Sequence, residues 1–169
     1  MDWLRKRYQA SILFELRQRF RASLKPYVLR SCRTYIHDLV THPIQEHVTM
    51  EVYWVSEPVG PGPGASIYIR GDEVMRFDCF GSDLGHYHFN IRQAKFVPAG
   101  ELTRIYFPEG SVQDHIDNAV VQLRRNLDYG RGMSLDPKVR SVKIDQDAVD
   151  EAAQLMRAEL IRIANQHSD

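Results

Sequence analysis

The sequence predicts an α+β protein: an antiparallel sheet of about five or six strands, packed on one face by N-terminal helices, a middle helix and a C-terminal helix. The prediction rests on a change of period along the chain. Apolar residues recur every three or four positions up to residue 42, alternate from residue 47 to 107, and then return to the helical spacing. The length of 169 residues and the hydrophobic fraction of 43% are ordinary for a globular protein, so we expect one domain over residues 1–169.

Residues 1–42 form the predicted helical N-terminal segment. A first helix over Trp3–Leu24 carries one apolar stripe, Pro26 interrupts it, and a second helix over Tyr27–Val40 follows. Nine basic residues and only two acidic ones lie in residues 1–33. Two interpretations of this basic face stay open. It binds nucleic acid, an anionic membrane or an acidic protein, or it is an ordinary solvated helix face.

Residues 47–107 form the predicted antiparallel meander, because their residues alternate and are rich in β-branched and aromatic types. The stretch Glu57–Gly64 is predicted to be a loop, since its Pro and Gly residues break both ladders and helices. Gly71-Asp72 and Gly81–Gly85 are predicted turns. The strands predicted around them are His47–Val55, Ala65–Arg70, a strand starting at Glu73, His86–Ile91 and Leu102–Phe107.

The C-terminal part contains two further predicted helices. Ser111 is a good N-cap for a helix over residues 111–128, and Asp147 is the predicted cap of a last helix over residues 147–166. Between them, residues 129–137 are predicted to form a loop and residues 139–145 a sixth, edge strand.

Strand parity separates the hairpin over Glu73–Ile91 into an apolar and a polar face. If its two strands pair, the apolar set meets on the core side, and the opposite side of the sheet stays partly open to solvent. The apolar set is Met75, Phe77, Cys79, Tyr87, Phe89 and Ile91. The polar set is Arg76, Asp78, His86, His88 and Asn90.

Two histidines of the polar set have the spacing of a metal-binding pair. His86 and His88 are two residues apart on one strand, so both imidazoles project the same way, and Asp78 on the neighbouring strand supplies a carboxylate. Two histidines and one carboxylate bind a divalent transition metal in known open sites. The alternative is a set of hydrogen-bonded polar residues. A shared metal requires imidazoles within about 4–5 Å of each other and open to solvent.

The order of motifs between Ser66 and Leu127 is Arg76-Phe77-Asp78, a Gly-bearing turn, Gly85-His86-Tyr87-His88, a further strand and a helix. This order is similar to that of the small bacterial TumE-type toxins of toxin–antitoxin pairs. The resemblance implies a protein that acts on RNA or inhibits growth and is paired with an antitoxin. In such chemistry His86 and His88 serve as general acid and base, and Arg76 clamps the phosphate.

Three further residues, Tyr68, Arg70 and Arg104, extend the polar face if their strands neighbour the hairpin. Together with Asn90 they form a predicted binding surface, because arginine and aromatic side chains bind single-stranded nucleic acid by charge and stacking. Ordinary cross-strand ion pairing is the alternative. The other histidines are near helix or strand ends and are predicted to be surface or capping residues: His37, His42, His47, His115 and His167.

Three functional hypotheses follow. We prefer a non-catalytic binding or assembly module that contacts another macromolecule or a second copy of itself, because the candidate site lacks a complete motif. The others are a toxin-like RNA-directed enzyme that uses His86 and His88, and a metal-dependent enzyme that uses His86, His88 and Asp78. No P-loop, dinucleotide glycine fingerprint or G-x-S-x-G elbow occurs.

Compartment signals predict a cytoplasmic protein with no transmembrane segment. The chain has no apolar run of about 18 residues and no apolar segment of the secretory type at its start. Cys32 and Cys79 are isolated, as expected for buried thiols in a reducing compartment.

Overall fold

A computed structural model describes residues 36–56, 60–91 and 100–168. The predicted helix over Trp3–Leu24, the basic residues before residue 34, Cys32 and most of the second predicted helix lie outside the described residues. Within the described part, helices and an antiparallel sheet confirm the α+β prediction.

Six antiparallel strands form one sheet in the order of the chain, β1-β2-β3-β4-β5-β6, so each strand pairs with its sequence neighbours. Tight turns make this possible. Arg70 and Gly71, which join β3 to β4, both have positive φ angles, 51° and 80°, as a two-residue hairpin turn requires. The strands are β1 (Ile36–Gln45), β2 (Val48–Val55), β3 (Gly62–Ile69), β4 (Asp72–Asp78), β5 (His86–Ile91) and β6 (Gly100–Tyr106).

The second predicted helix is wrong over its last residues, because Ile36–Val40 belongs to β1. This strand continues beyond the end of the predicted helix and includes Pro43. Among the described residues, β1 is an edge strand and pairs only with β2, and a proline without an N–H group is tolerated on an edge strand. The apolar spacing that suggested a helix instead leaves Leu39 exposed.

The predicted loop Glu57–Gly64 ends earlier than expected, since β3 begins at Gly62. The glycines here make room for aromatic rings: a Cβ atom on Gly62 would lie 2.7 Å from the Phe80 ring, and one on Gly64 2.8 Å from the Tyr53 ring. Gly62 and Gly64 therefore permit close packing within a strand and do not interrupt it.

Three helices follow the sheet: α1 (Val112–Met133), α2 (Pro137–Arg140) and α3 (Gln146–Gln166). The two long helices contact each other and pack on one face of the sheet, α1 mainly over β4 and β5 and α3 over β1 to β3. Buried aliphatic and aromatic side chains from both layers form the core between them, among them Met50, Ile67, Phe77, Leu123, Leu127, Met156 and Leu160. No helix in the described ranges is long and apolar enough to cross a membrane.

The middle helix is longer than predicted and contains two glycines that were expected to lie in a loop. Ser111 caps it with a complete capping box to Asp114, as its sequence suggested. At the other end the helix continues to Met133. Gly130 is buried there, and a Cβ atom on it would lie 3.1 Å from the Phe89 ring. The glycine thus brings the last turns of α1 close to β5.

The predicted edge strand over residues 139–145 is wrong. Residues 137–140 form the single helical turn α2, capped by Asp136, and residues 141–145 are a connection. The Gln45 side chain donates to the carbonyl of Lys143 and accepts from the amide of Asp145, so these backbone groups are bonded without a β-ladder. Asp145, and not Asp147, caps α3.

Candidate metal centre

Two cross-strand rows bring the predicted polar residues together. Asp78 pairs with His86 and Arg76 with His88 across β4 and β5. On the other side of β5, His86 pairs with Tyr106 and His88 with Arg104. Directly paired residues share a face of the sheet, so the hairpin has the register that parity predicted. The apolar partners, including Phe77 and Phe89, face the helices.

The centre of the polar face is a compact group of Asp78, His86 and His88. Nε2 of His86 lies 3.2 Å from Oδ2 of Asp78, and Nε2 of His88 lies 3.5 Å from the same oxygen. One donor atom from each residue falls within 4.8 Å of the others. Ligands about 2.1 Å from a common ion are separated by roughly 3.0 Å at a right angle and 3.4 Å at a tetrahedral angle. The two observed separations are therefore close to those of a shared coordination sphere.

In each imidazole, the hydrogen bond at Nδ1 indicates which ring nitrogen carries the proton. Nδ1 of His86 lies 2.8 Å from the carbonyl oxygen of Leu84, and Nδ1 of His88 lies 3.0 Å from Oδ1 of Asn90. Carbonyl oxygens only accept hydrogen bonds, so both Nδ1 atoms carry the proton. In the neutral rings, both Nε2 lone pairs then point at the Asp78 carboxylate. Histidines that bind metals usually have this arrangement, with the second ring nitrogen donating to a carbonyl or carboxylate oxygen.

The group is buried, which differs from the open site that the sequence suggested. Asp78, His86, His88 and Asn90 are only 5–7% exposed. Burial by itself raises the pKa of Asp78. When the two rings carry a second proton, at Nε2, the hydrogen bonds that His86 and His88 donate to the carboxylate, together with the positive charge of Arg76, outweigh that effect and hold the pKa of Asp78 well below its usual range. The carboxylate therefore stays ionised. The expected proximity of the imidazoles is confirmed, with the candidate ligand atoms within 4.8 Å of one another, and their expected exposure is wrong. A metal site can also lie beneath a shell of side chains that limits the access of solvent.

A second polar network lies beside this group. Arg76 donates from Nε and a terminal nitrogen to the two carboxylate oxygens of Glu73, at 2.7 and 3.0 Å. Ser66 donates to Glu73 and bonds the Tyr53 hydroxyl, both at 2.8 Å. Burial raises the pKa of the Tyr53 hydroxyl. Arg76, predicted to clamp a phosphate, is thus already held by a carboxylate.

The residues predicted as a binding surface are dispersed. Asn90 orients His88, as described above. Arg104 lies next to His88 on β6 and is exposed, and Tyr68 lies on the same face of β3 and is half-buried. Arg70 is in the turn between β3 and β4, so it is not on the sheet face. The polar face is therefore open toward Arg104 and closed over the histidines.

Sequence reasoning missed Tyr53, Ser66 and Glu73 as members of the polar face. Parity on β2 and β3 contained a signal for the first two, because Tyr53 follows the fully buried Val52 and Ser66 lies between the fully buried Ala65 and Ile67. A bulge near the start of β4 places Glu73 beside Arg76 and Ser66, and bulges have no simple sequence signature here. His115 was predicted to be a surface or capping residue and is completely buried.

Two aromatic rings flank His86. The Phe80 ring approaches it edge-on with centroids 6.0 Å apart, and the Tyr106 ring lies 5.6 Å away on the other side. These rings restrict the orientations of the imidazole. Cys79, next to Asp78 in sequence, points to the core with a buried thiol, and burial raises its pKa well above the usual value.

Comparison of the chain with protein-family models, with curated proteins and with solved structures finds no match. The similarity to TumE-type toxins and the two hypotheses without a metal therefore stay predictions, and the geometry of the described residues is the basis for a functional assignment.

Proposed function

We propose that the protein binds one divalent transition-metal ion through Nε2 of His86, Nε2 of His88 and the carboxylate of Asp78. The observation that carries the proposal is the arrangement of two imidazoles around one carboxylate oxygen. Each histidine uses its Nδ1 proton on a carbonyl oxygen and directs Nε2 at the same carboxylate oxygen. Two lone pairs aimed at a buried anion repel it, and a cation among the three atoms turns that repulsion into coordination.

The type of ligand indicates which ions fit. Imidazole nitrogen suits zinc, iron, nickel and copper, whereas magnesium and calcium prefer oxygen ligands. Three protein ligands also leave at least one position for water, as in catalytic zinc sites, whereas structural zinc sites usually have four protein ligands. A metal at this position lowers the pKa of its bound water, so hydroxide at the metal is the reactive group that this arrangement would supply.

Protons offer a competing explanation for the same geometry. If Nε2 of His86 or His88 is protonated, the imidazolium donates to Asp78 and forms a buried ion pair. The two explanations predict different metal contents. An ion-pair network requires no metal, whereas a metal centre binds metal in a fixed ratio to the protein.

Reconstitution with Zn²⁺ or Co²⁺ followed by elemental analysis tests the proposal. We expect one ion per chain and, for Co²⁺, an absorption band in the visible range that indicates coordination by imidazole. Asp78→Asn preserves the shape of the side chain and removes its charge. It should weaken metal binding more than about 100-fold, the upper end of the loss seen for outer-shell partners.

The control is a His37→Ala/His47→Ala double variant, which removes two exposed histidines outside the centre and should retain the metal. A folded wild-type protein without stoichiometric metal after reconstitution contradicts the proposal. Full metal content in Asp78→Asn contradicts it as well.

A further inference from the structure

His115 is a buried histidine outside the metal centre. It is the fourth residue of α1 and has no exposed surface. Its ring lies against the loop between β4 and β5, where a Cβ atom on Gly85 would be 1.8 Å from Nδ1 of His115. Only glycine at position 85 leaves room for the ring, so this loop and this histidine fit each other closely.

Both ring nitrogens of His115 are hydrogen-bonded to backbone groups. Nδ1 accepts from the amide of Gly81 at 3.1 Å, so it carries no proton. Nε2 carries the proton of the neutral ring and donates to the carbonyl of Pro108 at 3.0 Å. His115 therefore bridges the loop and the segment that leads into α1.

The hydrogen bonds continue from this loop to the metal centre. The amide of Leu84 donates to the carbonyl of Gly81 at 3.2 Å. The carbonyl of Leu84 accepts from Nδ1 of His86 at 2.8 Å. The loop thus provides the oxygen that sets the tautomer of His86.

The loop has a backbone conformation that needs support from its surroundings. Ser82 has a φ angle of 52°, in the left-handed region that non-glycine residues rarely adopt. Its carbonyl accepts from the amide of Gly110, which ties the loop to the segment before α1. Such conformations persist when surrounding contacts hold them in place.

We propose that His115 is a positioning residue for the metal centre: it holds the Gly81–Leu84 turn so that the Leu84 carbonyl orients His86. This inference rests on the proposed metal-binding function. It gives His115, which does not bind the ion itself, a role in metal affinity. That role depends on Nδ1 of His115 as the hydrogen-bond acceptor for Gly81.

Two substitutions separate the links that His115 makes. In His115→Asn the side-chain amide oxygen lies near the former Nδ1, so it can accept from Gly81 and keep that link. In His115→Gln the longer side chain directs its NH₂ group toward Pro108, so it keeps the other link. We expect His115→Gln to weaken Co²⁺ binding by about 10–100-fold, the usual cost of losing an outer-shell partner, and His115→Asn to retain most of the affinity.

Leu127→Ala is the control for general destabilisation. Leu127 is buried in α1 about three turns beyond His115, away from the loop. The folded variant should bind Co²⁺ like the wild type. Equal affinities in the two His115 variants, or a loss as large in Leu127→Ala, would overturn the inference.

The experiment also separates this inference from the proposal on which it rests. A wild-type protein that binds no metal refutes the proposed function. The role of His115 is then decided by the imidazole ¹⁵N spectrum of the metal-free protein, in which His115→Gln should shift the Nδ1 signal of His86 more than His115→Asn does. Unchanged His86 signals in both variants refute the positioning role.

Discussion

The two faces of the central sheet are built by the same strands and are stabilised in different ways. One face carries apolar side chains such as Met75 and Phe77 under α1 and α3. The other carries Asp78, His86 and His88, which are buried almost as deeply. Apolar groups gain free energy from any close contact, whereas a buried charge requires a partner at a defined distance. Specific chemistry is therefore expected on the polar face.

Phe77 and Asp78 sharpen this comparison, because they are neighbours in sequence and lie on opposite faces. Phe77→Ala should lower the free energy of unfolding by about 3–5 kcal/mol, the usual cost of truncating a buried phenylalanine. The metal affinity of the folded protein should stay close to that of the wild type. Urea denaturation without metal and calorimetric titration with Zn²⁺ measure the two quantities separately.

Asp78→Asn is the matched variant. Its metal binding should be lost, and its free energy of unfolding should fall less than that of Phe77→Ala. The two faces would not be independent if Phe77→Ala remained folded and lost its metal as completely as Asp78→Asn does.

Glu73 tests how much the second network on the polar face contributes to stability. Glu73→Gln removes the charge that holds the Arg76 guanidinium, whose side chain is only 35% exposed beside a carboxylate that is 17% exposed. We expect a loss of about 1.5–3 kcal/mol in the free energy of unfolding, the range for a hydrogen bond to a charged group. Urea denaturation measures it.

The chain contains a control with the same spacing. Asp128 and Arg131 also form an i,i+3 pair, on α1, in which the carboxylate is 66% exposed. Asp128→Asn should cost no more than about 1 kcal/mol, as for other surface pairs. Similar losses in both variants would mean that the polar face provides no special environment for its charges.

The apolar face and the pairing of β4 with β5 could be predicted from sequence, because alternation on each side of a glycine-rich turn allows one register that buries Phe77 and Phe89 together. The ends of the elements were less predictable. Ile36–Val40 has apolar residues at a spacing that fits a helix, and only pairing with β2 selects the strand. Gly130 looks like a helix terminator until Phe89 lies against it.

The ligand set of the candidate site was visible in the sequence, and its protonation pattern was not. Nothing about the order of residues shows that Nδ1 of His86 donates to the Leu84 carbonyl, because that contact depends on a loop in which Ser82 has a positive φ angle. The depth of the site also depends on partners distant in sequence. The Tyr53 ring packs over Gly64, the residue on β3 that pairs with Asp78, because Gly64 has no side chain to fill the space.

Tyr53 provides the smallest expected effect and a measure of how well the polar face excludes water. Burial raises the pKa of its hydroxyl, so the folded protein keeps a proton that the unfolded chain releases at a pH of about 10. Above that pH the folded state binds more protons than the unfolded state, and the free energy of unfolding should fall by up to about 1.4 kcal/mol per pH unit for this group. Urea denaturation at a series of pH values between about 8 and 11 follows the decline.

Tyr53→Phe should lose about 1 kcal/mol at neutral pH, because the hydrogen bond to Ser66 is removed, and should show a shallower decline above pH 10. Some decline should remain, since burial also raises the pKa of Tyr68. Tyr129→Phe is the control, because that ring is 58% exposed on α1, and its decline should match the wild type. If Tyr53→Phe and Tyr129→Phe behave alike, water reaches Tyr53 in solution. A wet environment of that kind would weaken the repulsion among Asp78, His86 and His88 on which the metal proposal depends, so this small effect tests the premise of the larger ones.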